Sequence, residues 1–399
     1  MKRIKALSIA LALALVFSLL PMTAFAEDGS ISGNISVTTP EEAEQYEDVV
    51  AEKTEIVANS LPEATVKGAA VVTPTNINSS ATPSKYTTKK ASSNSDKDTY
   101  TLSMPSAGTA IVTYYAPTSP SVRINGNDYD DRTSFESGGV TWYSEYWYVG
   151  GGSSTLDIYL NSTGNQAVFF VYYAPASMNI TPGSTAKTYL LGRPASSSSV
   201  SSFKLKAPSN GYFDLTMGDD IRTYGVYYKT AGFSDYEYLS QSDARRYIGV
   251  KKGLYTISVK SYTPVYGVKV KFNKVKESKY GTKKGKAKSI KRNKTIKGLI
   301  ITNKKKAHWY KIKNPKNQKL KLYVNAKKLS KSGNYSGAVK ITVYFPNKKS
   351  QYTTLYAGRS DSWWIRYGTI GTKKARAGTY YVKIQSYNGG NGYFTIKWK

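Results

Sequence analysis

The sequence predicts an all-β protein of three tandem β-sandwich domains, preceded by a signal peptide and a disordered acidic linker. Three observations lead there. Apolar residues recur at every second position through most of the chain, which is the period of a half-buried strand. One such pattern occurs three times, starting at Tyr100, Phe203 and Tyr310, and its spacing of about one hundred residues is the size of one sandwich. Composition points the same way, since 35 Tyr and 32 Gly against 15 Pro among 399 residues favour strands and turns over helices.

Residues 1–26 begin with Lys2, Arg3 and Lys5, continue through an apolar run from Ala6 to Leu20 and close with Ala24-Phe25-Ala26. This is the layout of a secretory signal peptide cleaved after Ala26. The expected location is therefore secreted, extracellular or cell-wall associated, with no transmembrane segment after signal removal. Residues 27–76 carry ten acidic side chains against Lys53 and Lys67. Such a stretch buries little apolar surface, so a disordered leader or linker is expected there.

Three domains are expected next, at 77–182, 183–273 and 274–399. Their shared opening reads Tyr100, Leu102, Met104-Pro105 and Gly108 in the first copy, and Phe203, Leu205, Ala207-Pro208 and Gly211 in the second. In the third it reads Tyr310, Ile312, Asn314-Pro315 and then Gln318 where the others have glycine. Two alternating strands joined by a turn fit each copy. A later block supports the register: Gly253, Tyr255, Ile257 and Val259 match Gly378, Tyr380, Val382 and Ile384, and the first copy's nearest equivalent follows Gly150-Gly151-Gly152.

The run Asp96, Asp98, Tyr100 and Leu102, then Gly108 and a later Gly-x-Tyr strand, resembles the bacterial pre-peptidase C-terminal (PPC) domain. The resemblance implies small β-sandwiches appended to secreted enzymes and surface proteins, some relatives binding collagen or calcium. An accessory part of a secreted enzyme system is one role it implies. The acidic pair becomes Ser199 and Ser201 in the second copy, then Lys306 and His308 in the third, so a property needing those carboxylates would be confined to the first.

Enzyme chemistry finds little support. Without cysteine there is no thiolate nucleophile, disulfide or Cys-ligated metal. His308 is the one histidine; it follows three lysines and reads as an exposed residue with no carboxylate to orient it. The segment from Gly281 to Ala287 is one residue short of a P-loop and ends in Ala where a hydroxyl is required. No catalytic residues and no cofactor are expected. Asp128, Asp130 and Asp131, joined by Asp96 and Asp98 if the fold gathers them, could offer oxygen ligands to calcium, or could be a plain polar turn.

Charge is the strongest functional signal. Residues 274–399 hold 33 Lys and Arg against Glu277 and Asp361 alone. Solvation explains exposed charge but not a single sign, because mixed charges solvate equally well without self-repulsion. Lys311, Lys313, Lys319 and Lys321 alternate with Ile312, Leu320 and Leu322, and are expected on one outer face as a polyanion-binding set. The expected partners of an exported protein are anionic cell-wall or matrix polymers such as teichoic acid, or an acidic polysaccharide, with nucleic acid limited to extracellular DNA. The alternative is a carbohydrate-binding module in which Trp142, Trp147, Trp363 and Trp364 stack on sugars; the other reading of those rings is core. The functional expectation is thus a secreted, non-enzymatic surface or matrix binding protein.

Overall fold

Period-two burial builds the protein out of strands. The computed structural model describes residues 66–67, 71–183, 188–191, 201–219, 226–230, 237–239, 245–261, 265–301, 306–330, 337–365 and 374–399. The expected signal peptide and the leader as far as residue 65 lie outside them. The described residues are nearly all β, in six sheets, with one 3-10 turn at Lys284–Lys286 and no α-helix. None of their helices is long and apolar enough to cross a membrane.

Three successive units each pack two sheets face to face. In the first, the smaller sheet runs Val71–Val72, Lys97–Met104, Gly152–Tyr159, Ser121–Ile124. The larger runs Val66–Lys67, Tyr86–Thr87, Val168–Pro175, Gly108–Tyr115, Val140–Val149, Asp131–Ser137, and Thr75–Asn76 also pairs with Val168–Pro175. Leu102 and Leu156 from one sheet meet Val112, Trp147 and Phe169 from the other in a single core.

In the second unit the five-stranded sheet runs Ser177–Ile180, Ser201–Ala207, Gly253–Ser261, Val226–Thr230, Glu237–Leu239. Its four-stranded partner runs Thr188–Leu191, Val265–Lys274, Gly211–Asp219, Arg245–Val250. The third unit repeats this order strand for strand. Its five-stranded sheet is Lys288–Ser289, His308–Asn314, Gly378–Tyr387, Ala338–Tyr344, Ser350–Tyr356, and its four-stranded sheet is Ile296–Ile300, Asn391–Trp398, Lys321–Ser330, Ser360–Trp364. The first unit departs in two ways: Val66–Lys67 and Thr75–Asn76 are added to its larger sheet, and Asp131–Ser137 joins that sheet beside Val140–Val149, whereas Glu237–Leu239 and Ser350–Tyr356 edge the opposite sheet.

Several expectations are corrected. Disorder through residue 76 stops short, because Val66–Lys67, Val71–Val72 and Thr75–Asn76 all pair in parallel with strands of the first unit, and Val72 is fully buried in its core. A boundary at 182 would fall inside the second unit, whose first strand, Ser177–Ile180, pairs with Ser201–Ala207. The two strands flanking each recurring turn do not pair with each other but lie in opposite sheets, so the turn crosses the sandwich.

Neighbouring units also share buried surface. Ile111, Trp142, Tyr146, Phe170 and Tyr172, on the outer face of the first unit's larger sheet, cluster with Tyr189 and Val265 of the second. Asn78 Nδ2 donates to Tyr189 O at 2.8 Å across the same seam. At the next junction Tyr247 N donates to Ser330 Oγ (2.6 Å), Lys328 Nζ donates to Tyr247 OH (2.9 Å), and Tyr212 stacks on Tyr393 with ring centroids 5.6 Å apart. Gly249 sits where a Cβ would lie 2.3 Å from Ile300 O, so glycine is what permits that approach.

Candidate functional site

The outer face of the third unit's five-stranded sheet is where cations and rings alternate. His308–Asn314 turns Tyr310 and Ile312 into the core and leaves Trp309, Lys311 and Lys313 outside. Gly378–Tyr387 likewise leaves Tyr381, Lys383 and Gln385 outside, and Ala338–Tyr344 leaves Lys340, Thr342 and Tyr344. Register then sets the neighbours. Trp309 lies opposite Lys383, which lies opposite Thr342 and then Tyr352; the next row is Lys311, Tyr381, Tyr344.

These rows touch. Trp309 stacks on Tyr344 at 5.2 Å. Lys383 Nζ stands 5.7 Å from the Trp309 ring centre, and Lys340 Nζ stands 3.7 Å from Tyr352 and 5.9 Å from Tyr387. The 3-10 turn after Gly281, the segment that falls short of a P-loop, lays Lys284 Nζ 4.8 Å from Tyr344 and 5.2 Å from Tyr381. Each exposed cation–π contact contributes about 0.5–1 kcal/mol and holds a lysine over a ring while its charge stays unneutralised. Tyr352, Tyr356 and Tyr387 remain exposed on this face, at 64%, 44% and 40%.

Carboxylates do not offset this charge. Glu277 is half-buried and accepts from Leu299 N at 3.0 Å, and burial pushes its carboxyl up. Burial likewise raises that of Asp361, on an edge strand of the other sheet. The chain matches no known family model and no curated protein in sequence.

The four lysines expected to form one set do not share a face. Lys311 and Lys313 belong to the five-stranded sheet, whereas Lys321 opens a strand of the four-stranded sheet and Lys319 lies just before it. The turn between them crosses the sandwich, which puts the pairs on opposite sides. Lys321 helps form a second, smaller basic face, with its Nζ 5.1 Å from Trp364 and 5.4 Å from Tyr323, and Lys399 Nζ 5.3 Å from Tyr323.

Three of the four candidate stacking tryptophans are core. Trp142, Trp147 and Trp363 are 6%, 3% and 4% exposed, which leaves no ring face for a sugar, and Trp364 alone is half-buried. Nor does the fold gather the candidate calcium ligands into one group. Asp96 accepts from the Ser92 and Ser93 hydroxyls, which hold its carboxyl well below the usual range. Asp98 accepts from Lys89 N, Asp128 pairs with Arg123 at 2.9 Å, Asp130 accepts from Tyr148 N, and Asp131 accepts from Arg132 N. Among the described residues no group of three His, Cys, Asp or Glu could hold a metal ion.

His308 is buried rather than exposed, at 3%, stacked 3.8 Å from Tyr280 and edge-on to Phe394. Burial lowers its pKa to about 4. Its position was readable from phase, since it precedes Tyr310 and Ile312 by the same period of two. Trp309, Lys340, Tyr344, Tyr381 and Lys383 were missed although the alternation that locates the core also locates them. Their signal is the pairing of that alternation with three strands brought side by side.

Proposed function

We propose that the chain is a secreted, non-enzymatic binding protein of a bacterial surface or matrix, and that its third unit contacts anionic polymers such as teichoic acid. The observation that carries this reading is the outer face just described, where Lys284, Lys311, Lys340 and Lys383 stand among rings with no carboxylate between them. Screening confines their field to about 8 Å at physiological ionic strength, so the face favours a ligand of dense charge held in contact. Export rests on the signal-like residues 1–26. Kinship with PPC domains belongs to the same proposal and rests on the run from Asp96 to Gly108.

Retention on immobilised teichoic acid, on a neutral glycan and on DNA, measured across salt, tests it. Teichoic acid should hold the protein at low salt and release it as salt rises, with log K falling linearly in log salt. Retention on the neutral glycan that ignores salt would sink the reading and favour the second one. That second reading, a carbohydrate-binding face, is favoured by the exposed Tyr352, Tyr356 and Tyr387 rather than by the buried tryptophans.

A further inference from the structure

At one end of the third sandwich, a cleft of about 440 Å³ opens between residues 289–292 and the turn that follows His308–Asn314. Lys291, Arg292, Lys313, Lys316 and Trp398 are among its lining residues, and no carboxylate side chain is. Trp398 Nε1 donates to Ile290 O at 2.9 Å, which anchors the Lys291-Arg292 segment to the core.

Arg292 is oriented by neutral groups. Its Nη1 donates to Gln318 Oε1 at 2.9 Å, Gln318 Nε2 donates to Asn314 Oδ1 at 2.7 Å, and the buried Asn314 donates through Nδ2 to Arg376 O at 2.9 Å. This chain of hydrogen bonds fixes one edge of the guanidinium and leaves its charge unspent. The guanidinium also lies 5.8 Å from the Trp398 ring centre. Gln318 occupies the position held by Gly108 and Gly211 in the other units. A Cβ at those glycines would lie 2.3 Å from Ala174 O and 2.2 Å from Asn273 O, so neither unit can carry the side chain that steers Arg292. Gln318 instead bridges backbone to backbone with Ala375, N to O at 3.1 Å and 2.8 Å.

We infer that this cleft binds a phosphomonoester, such as the terminal phosphate of an anionic polymer, with Arg292 as a two-pronged donor and Lys291, Lys313 and Lys316 on the remaining oxygen sites. A guanidinium fork takes one lone pair on each of a carboxylate's two oxygens, leaving fewer acceptor sites than the three ammonium groups, whereas a phosphomonoester adds a third non-bridging oxygen and a second negative charge. The inference rests on the reading of the third unit as an anionic-polymer binder and adds the chemical group it recognises.

The test titrates the chain from Glu27 onward with glycerol 3-phosphate and with glucuronate at constant ionic strength, following the Trp398 indole N–H by NMR. Glycerol 3-phosphate should shift that resonance saturably and glucuronate should not. Arg292→Gln should weaken phosphate binding about tenfold or more, the loss expected for a charge-assisted bidentate contact. Lys316→Gln, whose side chain is exposed, should weaken it severalfold and decides the matter if Arg292→Gln fails to fold. Lys204→Gln, exposed on the second unit, should leave it unchanged. Equal binding of glucuronate, a linear non-saturating shift, or unchanged binding in Arg292→Gln and Lys316→Gln would overturn the inference. Salt-sensitive polymer retention that persists in those cases leaves the broader reading standing, whereas saturable phosphate binding without polymer retention removes the broader reading and keeps the cleft.

Discussion

Glu145 is 2% exposed in the first unit, where Tyr114 OH donates to its Oε1 at 2.8 Å, Arg132 Nε stands 3.4 Å away, and its Oε2 has no hydrogen-bond partner. Burial outweighs the tyrosine and the arginine and raises its pKa from 4.5 to about 7. The unfolded chain then ionises first, so stability present below about pH 4.5 is lost as pH rises through about 7, by about 3 kcal/mol at most. Thermal unfolding should show Glu145→Gln equal to the parent at pH 4.5 and more stable at pH 8; equal stability at both values would refute this. His308 has the opposite sign. Its pKa falls from 6.5 to about 4, so its stability is complete above pH 6.5 and lost as pH falls toward 4, again by about 3 kcal/mol at most. His308→Phe, which keeps a ring on Tyr280, should remove the acid sensitivity of the third unit, as read by hydrogen exchange in Asn391–Trp398. Phase with Tyr310 gave the burial of His308 but not its surroundings: three lysines precede it in sequence, yet its spatial neighbours are Tyr280 and Phe394.

Single strands were legible where one face meets a core, as in His308–Asn314, because burial alternates with every residue. Partner and sheet were not, since alternation says which way a side chain points and nothing about what lies beside it. Hence Lys311 and Lys321 were expected together, although the turn between them crosses from one sheet to the other. Strand Val140–Val149 misled for a related reason. Its rings alternate onto two faces, and both are covered: Trp147 by the sandwich core, Trp142 by the neighbouring unit. Trp147→Ala and Trp363→Ala should therefore cost about 3–5 kcal/mol of stability, the range for emptying a buried aromatic site, while Trp364→Ala should cost far less. Denaturant titration decides this. On the outer face, replacing Lys340 and Lys383 with Gln should lower the salt slope of polymer retention by roughly one per lysine, while the same change at Lys319 alone should matter less. A slope unchanged by the double replacement would move the contact elsewhere.

The four-stranded sheet of the middle unit meets both neighbours. Tyr189 and Val265 on it join the first unit's Trp142 and Phe170, while Tyr212, Tyr247 and Gly249 on it approach the third unit's Tyr393, Ser330 and Ile300. Cutting the chain just before Ser177 should expose Ile111, Trp142, Phe170 and Tyr172 at once, an apolar patch that favours association. The isolated first unit should then sediment as oligomers or bind a hydrophobic dye, and a soluble, dye-silent monomer would argue against the seam. Gly249→Val should loosen the second junction and leave each sandwich folded, which limited proteolysis near residue 275 would reveal. The two seams also bear on how the protein carries load. If the third unit grips a polymer while the first is pulled, force reaches the middle sandwich both through the seam on its four-stranded sheet and through the backbone that enters its five-stranded sheet at Ser177–Ile180. Stretching a single molecule should then show the two seams yielding before any sandwich unravels, ahead of the peaks of the three sandwiches.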